Sequence, residues 1–326
     1  MIFAQCLALF IPFVSLSVNA LGQNGDYAIS DTITGEAFYT RFDWETMDDP
    51  THGRVNYVDE KTSRQQNLTY ASDDTFILRA DHKSVVKSTA RGRNSVRIIS
   101  KKTYTTHVAI FDVRHMPQGC GTWPAIWETQ GDDWPTGGEI DIVEGANDQG
   151  PNAATLHTTP GCSMPFYQRG TGAPGQLDCN WQVNSNTGCG VRFGGGMSYG
   201  PNFNANRGGW FALERTNDHI SVWFWPRNAT VIPNEIEDVN GDTFTLSTTK
   251  WGTPAAYFPN TDCNMKKYFG EHNIIINLTL CGDWAGSTYS QTKCPSSCVD
   301  FVNNNPSSFS KAYFDIGSIR IYEPRS

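Results

Sequence analysis

"GEIDIVEGAN", residues 138–147, packs Glu139, Asp141 and Glu144 into six residues. Side chains of a strand alternate between its faces, so Glu139 and Asp141 share one and a regular strand turns Glu144 to the other. Ile140, Ile142 and Val143 alternate with or flank the acids, which puts the carboxylates on a strand whose far side is buried. In a regular strand Glu139 and Glu144 stand about 16 Å apart. A β-bulge at Ile142–Val143 absorbs one residue, returns Glu144 to the face of Glu139 and shortens that separation to about 13 Å. The spacing therefore predicts a bulged strand with all three acids lining one cleft. A plainer reading is an acidic strand end that makes salt bridges or binds a metal. Against it, crowded like charges raise one another's proton affinity and cost stability, which marks a cluster with a task.

The surroundings of this strand read the same way. Short apolar runs recur with turn residues between them: "TFILRAD" (75–81), "SVRIIS" (95–100), "HVAIFDVRH" (107–115), "WFALER" (210–215), "ISVWFW" (220–225), "NIIINLTL" (273–280) and "SIRIYE" (318–323). They are rich in Val, Ile, Phe, Trp and Tyr, and several alternate with polar residues. "WFALERTNDHISVWFW" predicts a hairpin turning at Asn217-Asp218. No stretch sustains helical spacing over about 15 residues. The expectation is an all-β sandwich or barrel. Residues 160–208 are loop-like, rich in Gly, Pro and Asn, and carry Cys162, Cys179 and Cys189. They read as a stapled excursion within one domain, the kind of long loop that often serves function.

Composition narrows the class. Charged residues make up 18 % of the 326 and aromatics 12 %, a profile suited to an extracellular β protein. The formal charge of −8 disfavours nucleic acid and anionic membrane surfaces, which need a basic face. An uncharged partner fits better. The leader "MIFAQCLALFIPFVSLSVNA" has no charged side chain, an apolar run over 7–18 and a small-residue ending at Val18-Asn19-Ala20. It predicts a signal peptide over 1–20, a mature domain over 21–326 and secretion, because the run is too short to span a bilayer. Cys6 leaves with it. Cys120, Cys162, Cys179, Cys189, Cys263, Cys281, Cys294 and Cys298 then predict up to four disulfides. Without paired CxxC units or HExxH, no metal or other cofactor is expected. Asn67, Asn228 and Asn277 head glycosylation sequons, and Asn277 lies in an apolar run that argues for burial.

Three patterns look accidental. "GMSYG" (196–200) has the spacing of a nucleophile elbow around Ser198, but lacks the strand before and helix after. "GTGAPG" (170–175) mimics a dinucleotide loop, yet Pro174 and the missing helix make it an ordinary loop. "DVNGD" (238–242) lacks the later ligands of a calcium loop. The acid cluster differs, because two carboxyls with separated proton affinities are the minimal equipment for glycoside hydrolysis. Trp123, Trp127 and Trp134 precede it and Trp284 follows a later strand in "LCGDWAGS". Sugar rings stack their C–H faces on aromatic planes, so indoles beside paired acids suit a polysaccharide cleft. Trp134 and Trp284 stand in Gly/Asp loops and are better placed for exposure than Trp123. His157, in the strand-like "AATLHTT", can bond sugar or acid, though a core histidine reads almost as well.

At "GEIDIVEGAN" the sequence resembles glycoside hydrolase family sixteen, whose signature is Glu-x-Asp-x-(x)-Glu on a bulged strand. The form with the additional residue resembles the laminarinase branch, as do "WPAIWETQGDDWPTGGEIDIVE", "GGWFALERTNDHISVWFWP", "INLTLCGDWAG" and "AYFDIGSIRIYE". The resemblance covers roughly residues 36–323. It implies a jelly-roll β-sandwich of two curved antiparallel sheets, concanavalin A-like, with substrate crossing the concave face. It implies Glu139 as nucleophile, Glu144 as general acid/base, and Asp141 between them as a hydrogen-bond partner of Glu139. Trp127, Trp134, His157 and Trp284 fall at positions resembling the family's subsite residues. The expected activity is endo-hydrolysis of β-1,3- or mixed β-1,3/1,4-glucan with retention, by a secreted monomer, with a mildly acidic optimum. A transglycosylase on the same scaffold and a glucan-binding lectin are the rival readings.

Overall fold

The computed structural model describes residues 27–131, 133–238 and 243–325. The expected signal peptide, Cys6 and most of "DVNGD" lie outside the described residues. Two antiparallel sheets are stacked into a jelly-roll sandwich. The front sheet runs in the order Ala173–Pro174, Cys189–Arg192, Ala153–His157, Glu139–Glu144, Thr122–Thr129, Asn273–Leu280, Arg97–Ser100 and Phe42–Trp44. The back sheet runs Thr245–Leu246, Tyr27–Ile33, Tyr313–Pro324, His107–His115, Gly209–Arg215, His219–Pro226 and Ala256–Pro259. Thr75–Arg79 pairs with the first residues of Tyr313–Pro324 and with Thr69–Ser72, which extends that sheet sideways.

Period-two alternation builds the core between the sheets. Ile98, Ile126, Ile140, Leu156, Ile274 and Ile276 point inward from the front, and Phe76, Phe111, Phe211, Val222, Phe258 and Ile319 meet them from the back. The back strands "WFALER" and "ISVWFW" are apolar on both faces because a second cluster covers their outer side. There Val108, Ile110, Trp210, Trp223 and Trp225 pack under Ile236, Leu246 and Trp251. The hairpin joining these two strands turns where the sequence places it, with Thr216 Oγ1 accepting from the N–H groups of Asp218 and His219.

The excursion over 160–208 adds the two outermost strands at one edge of the front sheet. Four disulfides join Cys120 to Cys294, Cys162 to Cys263, Cys179 to Cys189 and Cys281 to Cys298. Within "GTGAPG" the N–H groups of Thr171 and Gly172 donate to Pro254 and Ala255 carbonyls, so that loop ties the edges of the two sheets together. Ser198 is buried and accepts the backbone N–H of Asn152, a structural role. Asn67 and Asn228 are exposed, whereas Asn277 is buried with both ends of its amide engaged. No helix among the described residues is long and apolar enough to cross a membrane.

Candidate active site

The acid strand carries the bulge its spacing demands. Glu139 pairs with Thr129 and Asp141 with Trp127; the register then shifts, and Glu144 pairs with Ala125. The three partners are alternate residues of one regular strand and therefore share a face. Their opposite numbers share it too. Ile142 and Val143, both fully buried, face the single step from Trp127 to Ile126, so the extra residue is absorbed on the core side.

The floor around the acids comes from five neighbouring strands. His157 pairs with Glu139 on one side, and Trp127 pairs with Asp141 on the other. Trp127 Nε1 donates to Asn277 Oδ1 at 2.7 Å, and Asn277 Nδ2 donates to the Tyr57 hydroxyl at 3.2 Å. Arg97 stands 5.0 Å from the Trp127 ring centroid and pairs with Glu45 at 2.5 Å. The glutamates each hold an indole donor: Trp134 Nε1 donates to Glu139 Oε2 at 2.8 Å, and Trp123 Nε1 to Glu144 Oε1 at 2.9 Å. Each donor belongs to an edge-to-face pair, Trp134 with Trp181 at 5.4 Å and Trp123 with Trp284 at 5.7 Å. Tryptophan pairs therefore flank the acid row at both ends.

Charge in this row is arranged unevenly. Burial and the neighbouring Asp141 charge push the Glu139 carboxyl up to about 7, against the pull of His157, the Trp134 hydrogen bond and Arg97. Burial and Asp141 raise Glu144 well above the usual carboxylate range, opposed by the Trp123 hydrogen bond and by His157. Burial alone pulls the His157 imidazole down, but the close Asp141 carboxylate and the charges of Glu139 and Glu144 outweigh it and lift it to about 10. His157 is thus a cation at neutral pH. Its Nε2 lies 3.4 Å from Asp141 Oδ2 and 3.8 Å from Glu139 Oε1, and Nδ1 donates to Asn186 Oδ1 at 2.9 Å. Glu139, Asp141 and His157 offer ligand atoms within 4.8 Å of one another. They can hold a divalent cation only once Nε2 gives up its proton.

Glu139, Asp141, Glu144, Trp127, Trp134 and His157 therefore converge as the sequence places them, and Trp284 reaches the acid row through Trp123. Trp134 is 39 % exposed, in keeping with its loop setting. Trp123 is less exposed than Trp134, as its setting suggests, and it nevertheless bonds Glu144 directly. The alternation that puts Trp127 in the cleft puts Trp123 there too, four residues away on the same strand. Trp181 and Asn186 arrive from the lobe closed by Cys179–Cys189, for which the paired cysteines in a long loop were the available signal. Arg97 and Asn277 come from runs that read only as strands, and Tyr57 from a stretch without a motif.

A family model described as an XgeA-like catalytic GH16 domain matches residues 42–322. The chain belongs to glycoside hydrolase family sixteen. Among family sixteen structures, it superposes on laminarinase 16A of Phanerochaete chrysosporium with a TM-score of 0.89 and 58 % identity, covering 91 % of this chain and all of that one. That laminarinase holds two β-glucans, 6-O-glucosyl-laminaritriose, in its donor and acceptor sites. An elongating family sixteen β-1,3-glucosyltransferase superposes with a TM-score of 0.83 at 35 % identity, covering 91 % of this chain and all of that one. An endo-1,3(4)-β-glucanase of Arthroderma benhamiae is 38 % identical over 94 % of this chain and 68 % of its own length. A probable glycosidase of Schizosaccharomyces pombe is 43 % identical over 91 % of this chain and 69 % of its own length.

Proposed function

We propose that this protein is an endo-β-glucanase that hydrolyses internal bonds of β-1,3- and mixed β-1,3/1,4-glucans with retention of configuration. The observation that carries the reading is the register of the acid strand, which sets Glu139 and Glu144 on one face beside an indole floor. The similarity to a glucan-bound laminarinase and to an endo-1,3(4)-β-glucanase supports the same substrate. Glu139 attacks the anomeric carbon as the glycosidic bond breaks, and Glu144 gives its proton to the departing oxygen. Glu144, now a carboxylate, takes a proton from water, whose oxygen displaces Glu139 from the sugar. Asp141 holds His157 beside Glu139, and the imidazolium stabilises the nucleophile's charge. The leader over 1–20 and the four disulfides support an extracellular site of action.

The first product seen by NMR should be the β-anomer; an α-anomer would overturn the mechanism. Glu139→Gln and Glu144→Gln should each lower kcat on laminarin by at least about 10³-fold while oligosaccharide binding survives, an expectation based on loss of a group used only in the transition state. A second reading, glucosyl transfer to a sugar acceptor, is favoured by the 35 % identity to an elongating glucosyltransferase. Chains longer than the substrate, formed at high oligosaccharide concentration, would select it.

A further inference from the structure

The bulge turns Glu144 into the cleft at a cost. An extra residue breaks the ladder and leaves backbone groups unpaired, and here they are buried. On the side toward Ala153–His157, pairing of the acid strand stops at Asp141 opposite Thr155. Past that point one side chain takes over. Asn152 Oδ1 accepts the Glu144 N–H at 2.9 Å, and Asn152 Nδ2 donates to the Ile142 carbonyl at 2.9 Å. A single fully buried amide thus grips the strand on both sides of the inserted residue. Its own backbone is held in turn: Asn152 N–H donates to Ser198 Oγ at 3.0 Å, and its carbonyl accepts from Phe193 N–H at 2.9 Å.

We propose that Asn152 is the positioning residue for Glu144, clamping the bulge so that the carboxyl meets Trp123 and the cleft, and that Ser198 holds the clamp in place. The inference rests on Glu144 being the general acid. Both bonds of the Asn152 amide go to backbone groups, so it acts through the backbone, by fixing the direction in which Cα–Cβ of Glu144 leaves the strand. No ladder bond takes this place: the neighbouring strand runs on to Ala153, but its pairing with the acid strand ends at Asp141 opposite Thr155. The buried Ser198, which resembles a nucleophile by spacing alone, gains a purpose as the outer end of this chain of bonds.

A mispositioned acid has a signature that a loosened fold lacks. Cleavage of a sugar leaving group needs the proton of Glu144, whereas dinitrophenolate departs without one. In Asn152→Ala, kcat/KM on laminarin should fall by about 10- to 100-fold, a partial loss of the roughly 10²- to 10⁴-fold that acid assistance contributes, while kcat/KM on 2,4-dinitrophenyl β-laminaribioside changes less than about threefold. The alkaline limb of the laminarin profile should also move to lower pH, since a carboxyl released from its buried seat regains its ordinary acidity. Equal losses on both substrates, or no loss on either, would overturn the inference. Should thermal melting show that Asn152→Ala does not fold, Ser198→Ala, which deletes one hydroxyl, is expected to give the same substrate split at about 3- to 10-fold. An unchanged ratio of the two substrates in that variant would count against the clamp. Glu144→Ala separates the two ideas. If it loses both substrates alike, Glu144 is not the acid; if it shows the split and Asn152→Ala does not, only the clamp fails.

Discussion

Glu139 and Glu144 each accept one indole N–H, and the two bonds act on opposite limbs of the pH profile. With Glu139 as the proposed nucleophile and Glu144 as the proposed acid, turnover would need the first ionised and the second protonated, so the acid limb would follow Glu139 and the alkaline limb Glu144. Both carboxyls are raised, which places both limbs above the ordinary carboxylate value, the lower of them toward 7. That sits closer to neutrality than the mildly acidic optimum expected from clustered acids alone, because burial adds to the crowding. A donated N–H favours the charged form and lowers the pKa. Trp134→Phe should therefore shift the acid limb to higher pH, and Trp123→Phe should shift the alkaline limb to higher pH, each by up to about one unit. Profiles of kcat/KM on laminarin test this, and a Trp123→Phe variant whose acid limb alone moves would show the pairing to be wrong.

Among the elements, the lobe closed by Cys179–Cys189 is the one whose loss should separate activity from stability. The loop is short, with a sequence separation of 10, so its bridge contributes less than about 3 kcal/mol of loop entropy. Yet it delivers Asn186 to His157 and Trp181 to Trp134. Replacing both cysteines by serine should lower the melting temperature by only a few degrees while cutting kcat/KM on laminarin by about tenfold, as for one lost hydrogen bond to a charged group. Activity equal to wild type would mean that the lobe holds its shape unaided. This lobe also marks the boundary of what sequence reasoning reaches. The acid strand was legible because alternation and the extra apolar residue follow from local geometry, and Trp127 followed from its neighbourhood. Asn186 and Asn152 were not, since each acts across a contact that only the assembled sheet creates. Trp123 shares the parity of Trp127 on one strand, a signal that its loop-set neighbours Trp134 and Trp284 obscure.

At the scale of the molecule, the strand order of the front sheet gathers residues from Arg97 to Asn277 onto one face, and long bridges secure the loops around it. Cys162–Cys263 spans 101 residues, a loop for which chain entropy predicts a contribution of about 4.7 kcal/mol. Its removal should therefore lower stability by about 2–4 kcal/mol in reversible denaturation, with kcat on laminarin near wild type at 25 °C. A loss of kcat with unchanged stability would reverse the assignment of roles between the two bridges. The all-β sandwich was legible from strand-length runs, whereas the layer over the back sheet was not. Its helix Asn234–Glu237 is too short to leave a periodic trace.

The back sheet also decides where this domain can be opened. Tyr27 and Pro324 are direct partners in its ladder, so the two ends of the described chain lie about one strand spacing, roughly 5 Å, apart. They sit on the sheet that does not carry the acids. A short linker can join them, and the hairpin at Asn217-Asp218, exposed and in the same sheet, offers new ends without touching the cleft. The order in which the chain visits its strands is thus separable from the chemistry they assemble, and the domain can be rewired as a circular permutant or inserted through those adjoining ends into a host protein.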